Sequence, residues 1–191
     1  QWGDIAWTSM QSAFFGCENL VINAMDVPDL SGVTDMSNMF RGASNFNQAI
    51  GSWDVSKVTT MFGMFFRASS FNHDIGGWDV SQVTSMRSMF SFASTFNQDL
   101  NNWDVSNVTD MYSMFFAAPE FNGDITSWDV SSVSDMIAMF DGAVSFNQDI
   151  GGWNVANVTD MSSMFDGADS FNQDLNNWNV SKGSFSSHLN D

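Results

Sequence analysis

The sequence predicts a right-handed α/β solenoid, with short helices along one side and short parallel strands along the other. Three features predict it: an unbroken 25-residue period, an apolar set at helical spacing inside each period, and an apolar-polar-apolar triplet opening it. The period comes first. Trp53, Trp78, Trp103, Trp128, Trp153 and Trp178 recur every 25 residues, and each begins a near-copy of one unit. A unit of that size cannot close a core alone, so neighbours must stack.

In the copy that starts at Trp78, Met86, Met89, Phe90 and Ala93 fall at i, i+3, i+4 and i+7, which places four apolar groups on one face of a short helix. Thr84 stands where an N-cap is wanted, and Asp follows at that point in other copies (Asp35, Asp110, Asp135, Asp160), where a carboxylate suits a helix start. Trp78-Asp79-Val80 alternates as a very short strand would. Stacking at ~5 Å per unit turns each repeated residue into a ladder. The Phe46 to Phe171 and Ile50 to Leu175 columns read as core, and the unvarying Asn47 to Asn172 column as a source of bonds to the turn backbone. Gly76-Gly77 and Gly151-Gly152 read as bends visiting positive φ.

One elongated domain spans 1–191 on this reading. Residues 1–32 form a degenerate N-terminal cap repeat, offset by 26 and with Pro28 in the Trp position. Residues 33–181 are the regular repeats, and 182–191 abandon the pattern as a tail.

Composition narrows the function. With 22 acidic against 5 basic residues the net charge is -17, which repels phosphate backbones and anionic lipid, so nucleic acid is not an expected partner. No apolar run is long enough for direct membrane insertion, and the start lacks the features of a signal peptide, as in a mature or excised piece. Cys17 is the single cysteine and cannot make an internal disulfide. His73 and His188 have no repeated partners, and no nucleophile triad, phosphate loop or zinc motif occurs. No enzymatic activity is expected.

The repeat Val-Thr-Asp-Met-x-x-Met-Phe-x-x-Ala-x-x-Phe-Asn-x-Asp-Ile/Leu-x-x-Trp-Asp-Val-Ser, followed closely from Val33 to Ser181, resembles the repeats of BspA-like leucine-rich-repeat surface proteins, the type also found in mycoplasma-type lipoproteins. The resemblance implies a leucine-rich-repeat-like solenoid displayed on bacterial or protist surface proteins, acting as an adhesin or ligand-binding array. It implies an extracellular or cell-surface location. It carries no catalytic residues.

Two Asp columns, Asp54, Asp79, Asp104, Asp129 and Asp74, Asp99, Asp124, Asp149, Asp174, bring like charges close together. Backbone amides accepted in each bend would offset the repulsion, and calcium between repeats is the alternative; no other cofactor is expected. The Thr34 to Thr159 column admits an ice-binding reading, although helix capping accounts for it too.

The candidate ligand-binding patch lies where the repeat fails to repeat. One column runs Ser37, Phe62, Arg87, Tyr112, Ile137, Ser162, and another Arg41, Phe66, Ser91, Phe116, Asp141, Asp166, with Arg67 and Phe92 beside it. Stacking requires none of these bulky groups, and aromatic and Arg anchors are typical of binding hot spots. The expected function is a non-catalytic, surface-displayed adhesion or ligand-recognition segment of a larger extracellular protein, with a protein or glycan on another cell or surface as partner. A purely structural stalk is the alternative.

Overall fold

The computed structural model describes residues 1–183. Successive 25-mers lie in register, and one residue per repeat pairs with its equivalent in a parallel bridge: Asp35 with Thr60, then Ser85, Asp110, Asp135 and Asp160. Phe40, Phe65, Phe90, Phe115, Phe140 and Phe165 stack through the core with ring centroids 5.5–5.8 Å apart. A second aromatic ladder, Phe46 through Phe171, runs beside it at 5.8–6.1 Å. Within a repeat the two ladders touch, Phe90 and Phe96 lying 4.0 Å apart. Met, Val and Ile ladders, with most of the Trp column, complete a continuous buried core.

The predicted helices and strands are corrected. The described residues contain no helix and no strand beyond isolated bridges, so the fold is neither an α/β solenoid nor a leucine-rich-repeat solenoid of helices and strands. Each repeat is a succession of turns. The residues chosen for the apolar helix face are indeed buried: Met86, Met89, Phe90 and Ala93 are all 0% exposed. Their backbone takes another route. Met86, Ser88, Phe90 and Phe92 donate their amides to the carbonyls of Asp110, Tyr112, Met114 and Phe116 in the next repeat, while Met89, Ser91 and Ala93 close four-residue turns onto Met86, Ser88 and Phe90. Half of the amides therefore point along the rod, which an α-helix forbids.

Left-handed backbone at two positions per repeat makes this possible. Ser88 and Phe92 have φ of 54° and 59°, and the matching residues of the other repeats behave alike. A helix cannot pass through one such residue, let alone two.

The Thr column does not cap helices. Thr84 Oγ1 donates to the Thr59 carbonyl at 3.2 Å and Thr109 Oγ1 to that of Thr84 at 3.2 Å, so these exposed hydroxyls tie repeats together. The Trp-Asp-Val triplet links two turns rather than forming a strand: Ser81 N–H donates to Asp79 Oδ1, and Trp78 Nε1 donates to the Ile50 carbonyl of the preceding repeat at 3.2 Å. Gly76 is needed for proximity instead of positive φ, since a Cβ there would lie 2.7 Å from the Asp99 carbonyl oxygen. The Asn ladder serves as expected, with Asn72 Oδ1 accepting the Asn97 amide at 2.9 Å and Asn97 Oδ1 that of Asn122 at 2.8 Å.

In the N-terminal repeat, Pro28 is buried in the Trp position and Trp2 packs edge-on to Trp53 at 5.8 Å. The predicted tail 182–191 falls outside the described residues after Gly183.

Candidate functional site

Three adjacent columns of side chains leave the middle of the rod on the face formed by the turn ladder, and most of the predicted patch gathers there. Phe66, Phe92 and Phe116 form a chain of edge-to-face rings, with centroids 5.5 Å apart in the first pair and 5.2 Å in the second. Arg67, exposed, places its guanidinium 5.5 Å from Phe66 and 5.2 Å from Phe92. A second cluster lies in the neighbouring column, where the Arg87 guanidinium stands 3.7 Å over the Tyr112 ring and pairs with Asp110 at 3.8 Å and Asp135 at 3.9 Å. Phe62 and Ile137 share that column, half-buried, and join neither stack.

Sequence reasoning placed Arg41 in the column but left it outside the patch. Its guanidinium lies 4.1 Å over Phe66 and 5.8 Å from Phe15, and it donates to Asn38 Oδ1 at 3.2 Å. The signal was available in the 26-residue offset of the first repeat, which aligns Phe15 with Arg41 and Phe66. Three of the five basic residues of the chain therefore lie on this one face. Arg87 is the arginine that forms ion pairs; among the described residues Arg41 and Arg67 have no carboxylate partner.

The backbone adds a second mark. Gly16, Gly42, Gly142 and Gly167 occupy the second left-handed position in the outer repeats, where φ is 65–73°. The middle repeats put Arg67, Phe92 and Ala117 there, at φ of 59°, 59° and 50°. A side chain in this region costs about 1–2 kcal/mol, a strain that Gly avoids. Two of those three strained residues, Arg67 and Phe92, belong to the predicted patch.

Further along the same column the face turns acidic, with Asp141 and Asp166 half-buried. Desolvation, followed by the nearby Asp166, raises the Asp141 carboxyl above its ordinary value. Asp135 is likewise raised, chiefly by desolvation, with its own Ile137 amide opposing.

The Asp columns proposed for calcium are held by their own turns. Asp54, Asp79 and Asp129 accept amides two residues on at 3.0–3.1 Å, and the hydroxyls of Ser56, Ser81 and Ser131, with those amides, keep the carboxyls below their ordinary value. Asp104 accepts both the amide and the hydroxyl of Ser106. In the second column Asp74, Asp124, Asp149 and Asp174 make the same two-residue turn, whereas Asp99 accepts the Asp124 amide of the next repeat at 2.8 Å. Among the described residues no group of three or more His, Cys, Asp or Glu side chains converges to hold a metal ion.

Such an array, with a constant core and a variable face, defines a repeat protein of stacked turns. A family model described as "Mycoplasma protein of unknown function, DUF285" matches residues 8–116 and again 92–189, so the chain belongs to that family. No curated protein matches it.

Proposed function

We propose that the chain is a non-catalytic, surface-displayed rod that works as an adhesion or ligand-recognition segment of a larger extracellular protein. The observation that carries this reading is the cluster of Arg67, Phe66, Phe92 and Phe116 on an acidic rod, with Arg67 and Phe92 held in left-handed backbone that other repeats assign to Gly. Strain kept at Arg67 and Phe92, where the outer repeats have Gly, supports a role for the side chains placed there. A plain stalk would have no use for it. The likeness of the repeats to BspA-like surface proteins supports extracellular display, and the absence of any catalytic motif in the sequence supports a binding role.

The mechanism is rigid presentation: the ring ladders fix the face, and the variable columns on it select the partner. A protein partner fits better than a glycan. Sugar platforms offer open ring faces, whereas guanidinium groups already stand over Phe66 and Tyr112.

The test is a double change, Arg67→Gly with Phe92→Gly, which removes both anchors and relieves their backbone. Protein and glycan arrays probed with both forms should show a partner for the original chain that the variant loses, with melting temperature maintained. Equal binding by the two forms would overturn the assignment of the patch.

A further inference from the structure

Across the five central repeats, the residues on this face meet matching or complementary residues when the rod is reversed. From the first repeat to the seventh, the column of Phe66 runs Phe15, Arg41, Phe66, Ser91, Phe116, Asp141, Asp166. Reversing it about Ser91 sets Arg41 opposite Asp141 and Phe66 opposite Phe116. The adjoining left-handed column runs Gly42, Arg67, Phe92, Ala117, Gly142, so Phe92 falls on the same centre and the long Arg67 meets the short Ala117. In the third column Phe62 lies opposite Tyr112 across Arg87, whose charge Asp110 and Asp135 already balance.

We infer that the occupant of the patch is a second copy of this chain, docked antiparallel face to face about a two-fold axis through the fourth repeat. The inference rests on the reading of the patch as a protein-binding face and names its partner.

Charge complementarity carries the argument. Arg41 has no carboxylate partner within the described residues, although the chain is strongly acidic, while Asp141 and Asp166 are half-buried like charges on the same column. Within one rod Arg41 bonds to Asn38 and stacks on Phe66 but meets no carboxylate, and among the described residues Asp141 meets no cation. Two antiparallel rods give each Arg41 an Asp141 and each Asp141 an Arg41, the reciprocal pattern that an isologous interface requires. Around the axis the half-buried Phe66, Phe92 and Phe116 supply the apolar centre, with the charges at its rim. Five repeats at ~5 Å each, on a face a few side chains wide, place the contact at the low end of interface sizes. The dimer should therefore be weak and concentration-dependent. Antiparallel pairing also suits adhesion, because rods projecting from two opposed surfaces meet in that orientation.

Sedimentation velocity across a concentration series tests this without any variant: the original chain should pass from monomer to dimer. Arg41→Asp and Asp141→Arg should each weaken dimerisation by about tenfold or more. The double change Arg41→Asp with Asp141→Arg should restore it, because each swapped charge again meets its opposite. A chain that stays monomeric to millimolar concentration overturns the inference, as do single variants that dimerise normally or a double variant without rescue. If the original chain remains monomeric while Arg67→Gly with Phe92→Gly loses a partner found on arrays, this inference fails and the adhesion reading stands.

Discussion

Asp79 shows what a single ladder carboxylate contributes. Its Oδ1 accepts the Ser81 amide at 3.1 Å, and the Ser81 hydroxyl followed by that amide holds the carboxyl below its ordinary 3.8. A carboxylate whose folded pKa is lowered stabilises the fold above the unfolded value, and that gain is lost as pH falls through the folded one. Asp79→Ala should therefore cost about 0.5 kcal/mol at pH 7, the scale of an exposed turn bond. The deficit should shrink once the pH is low enough to protonate Asp79 in the folded chain. Asp79→Asn should cost less, since Asn154 does this work in its own repeat, accepting the Ala156 amide at 3.3 Å. Urea titrations at pH 7 and at successively lower pH values measure both.

At the scale of one repeat, the two left-handed positions decide the fold, and they give the sharpest stability test. Ala117 has φ of 50° where the following repeats have Gly142 and Gly167. Ala117→Gly relieves about 1–2 kcal/mol of local strain against a smaller cost in unfolded-chain entropy, so it should raise stability by about 0.5–1 kcal/mol. Gly142→Ala should lower it by a similar amount or more, its new Cβ lying 3.4 Å from the Ala117 Cα. Urea midpoints of the two variants check the signs, and a gain from Gly142→Ala would refute this account of the repeat.

The same positions explain which parts of the fold were legible. Burial was: Met86, Met89, Phe90 and Ala93 lie inside, because apolar spacing reports which side chains leave water. Local geometry was not. An i, i+3, i+4, i+7 set suits any backbone that returns those residues to one side, and alternating turns do so as well as a helix. The distinguishing signal was the column Gly42, Arg67, Phe92, Ala117, Gly142, Gly167, where recurring Gly marked positive φ. Phe and Arg in the middle copies concealed it. Most of the candidate site was legible because it consists of departures from the period; Arg41 was missed because it stands at the polar end of its column, although its guanidinium stacks on the next member, Phe66. Far-UV circular dichroism should lack the helical double minimum. A strong minimum of that kind would restore the α/β reading.

Across the rod, stability should follow from the number of stacked units, since among the described residues each repeat bonds only to its neighbours and the ring ladders run from one to the next. Deleting Trp103 to Ser127 removes one whole period and brings Asn102 against Trp128, an Asn-Trp junction the chain already makes at Asn102-Trp103 and Asn177-Trp178. Phe90 then meets Phe140 in place of Phe115, the bridge column closes with Ser85 on Asp135, and the Asn ladder closes with Asn97 on Asn147. The shortened chain should fold, unfold at a lower urea concentration because one set of inter-repeat contacts is gone, and form a rod shorter by ~5 Å in small-angle scattering. A deletion one residue shorter should be far more damaging. It moves every downstream column out of register, so that Phe rings meet backbone and the inter-repeat amides lose their carbonyls. Equal stability of the two deletions would mean that the rod is not held together by its period.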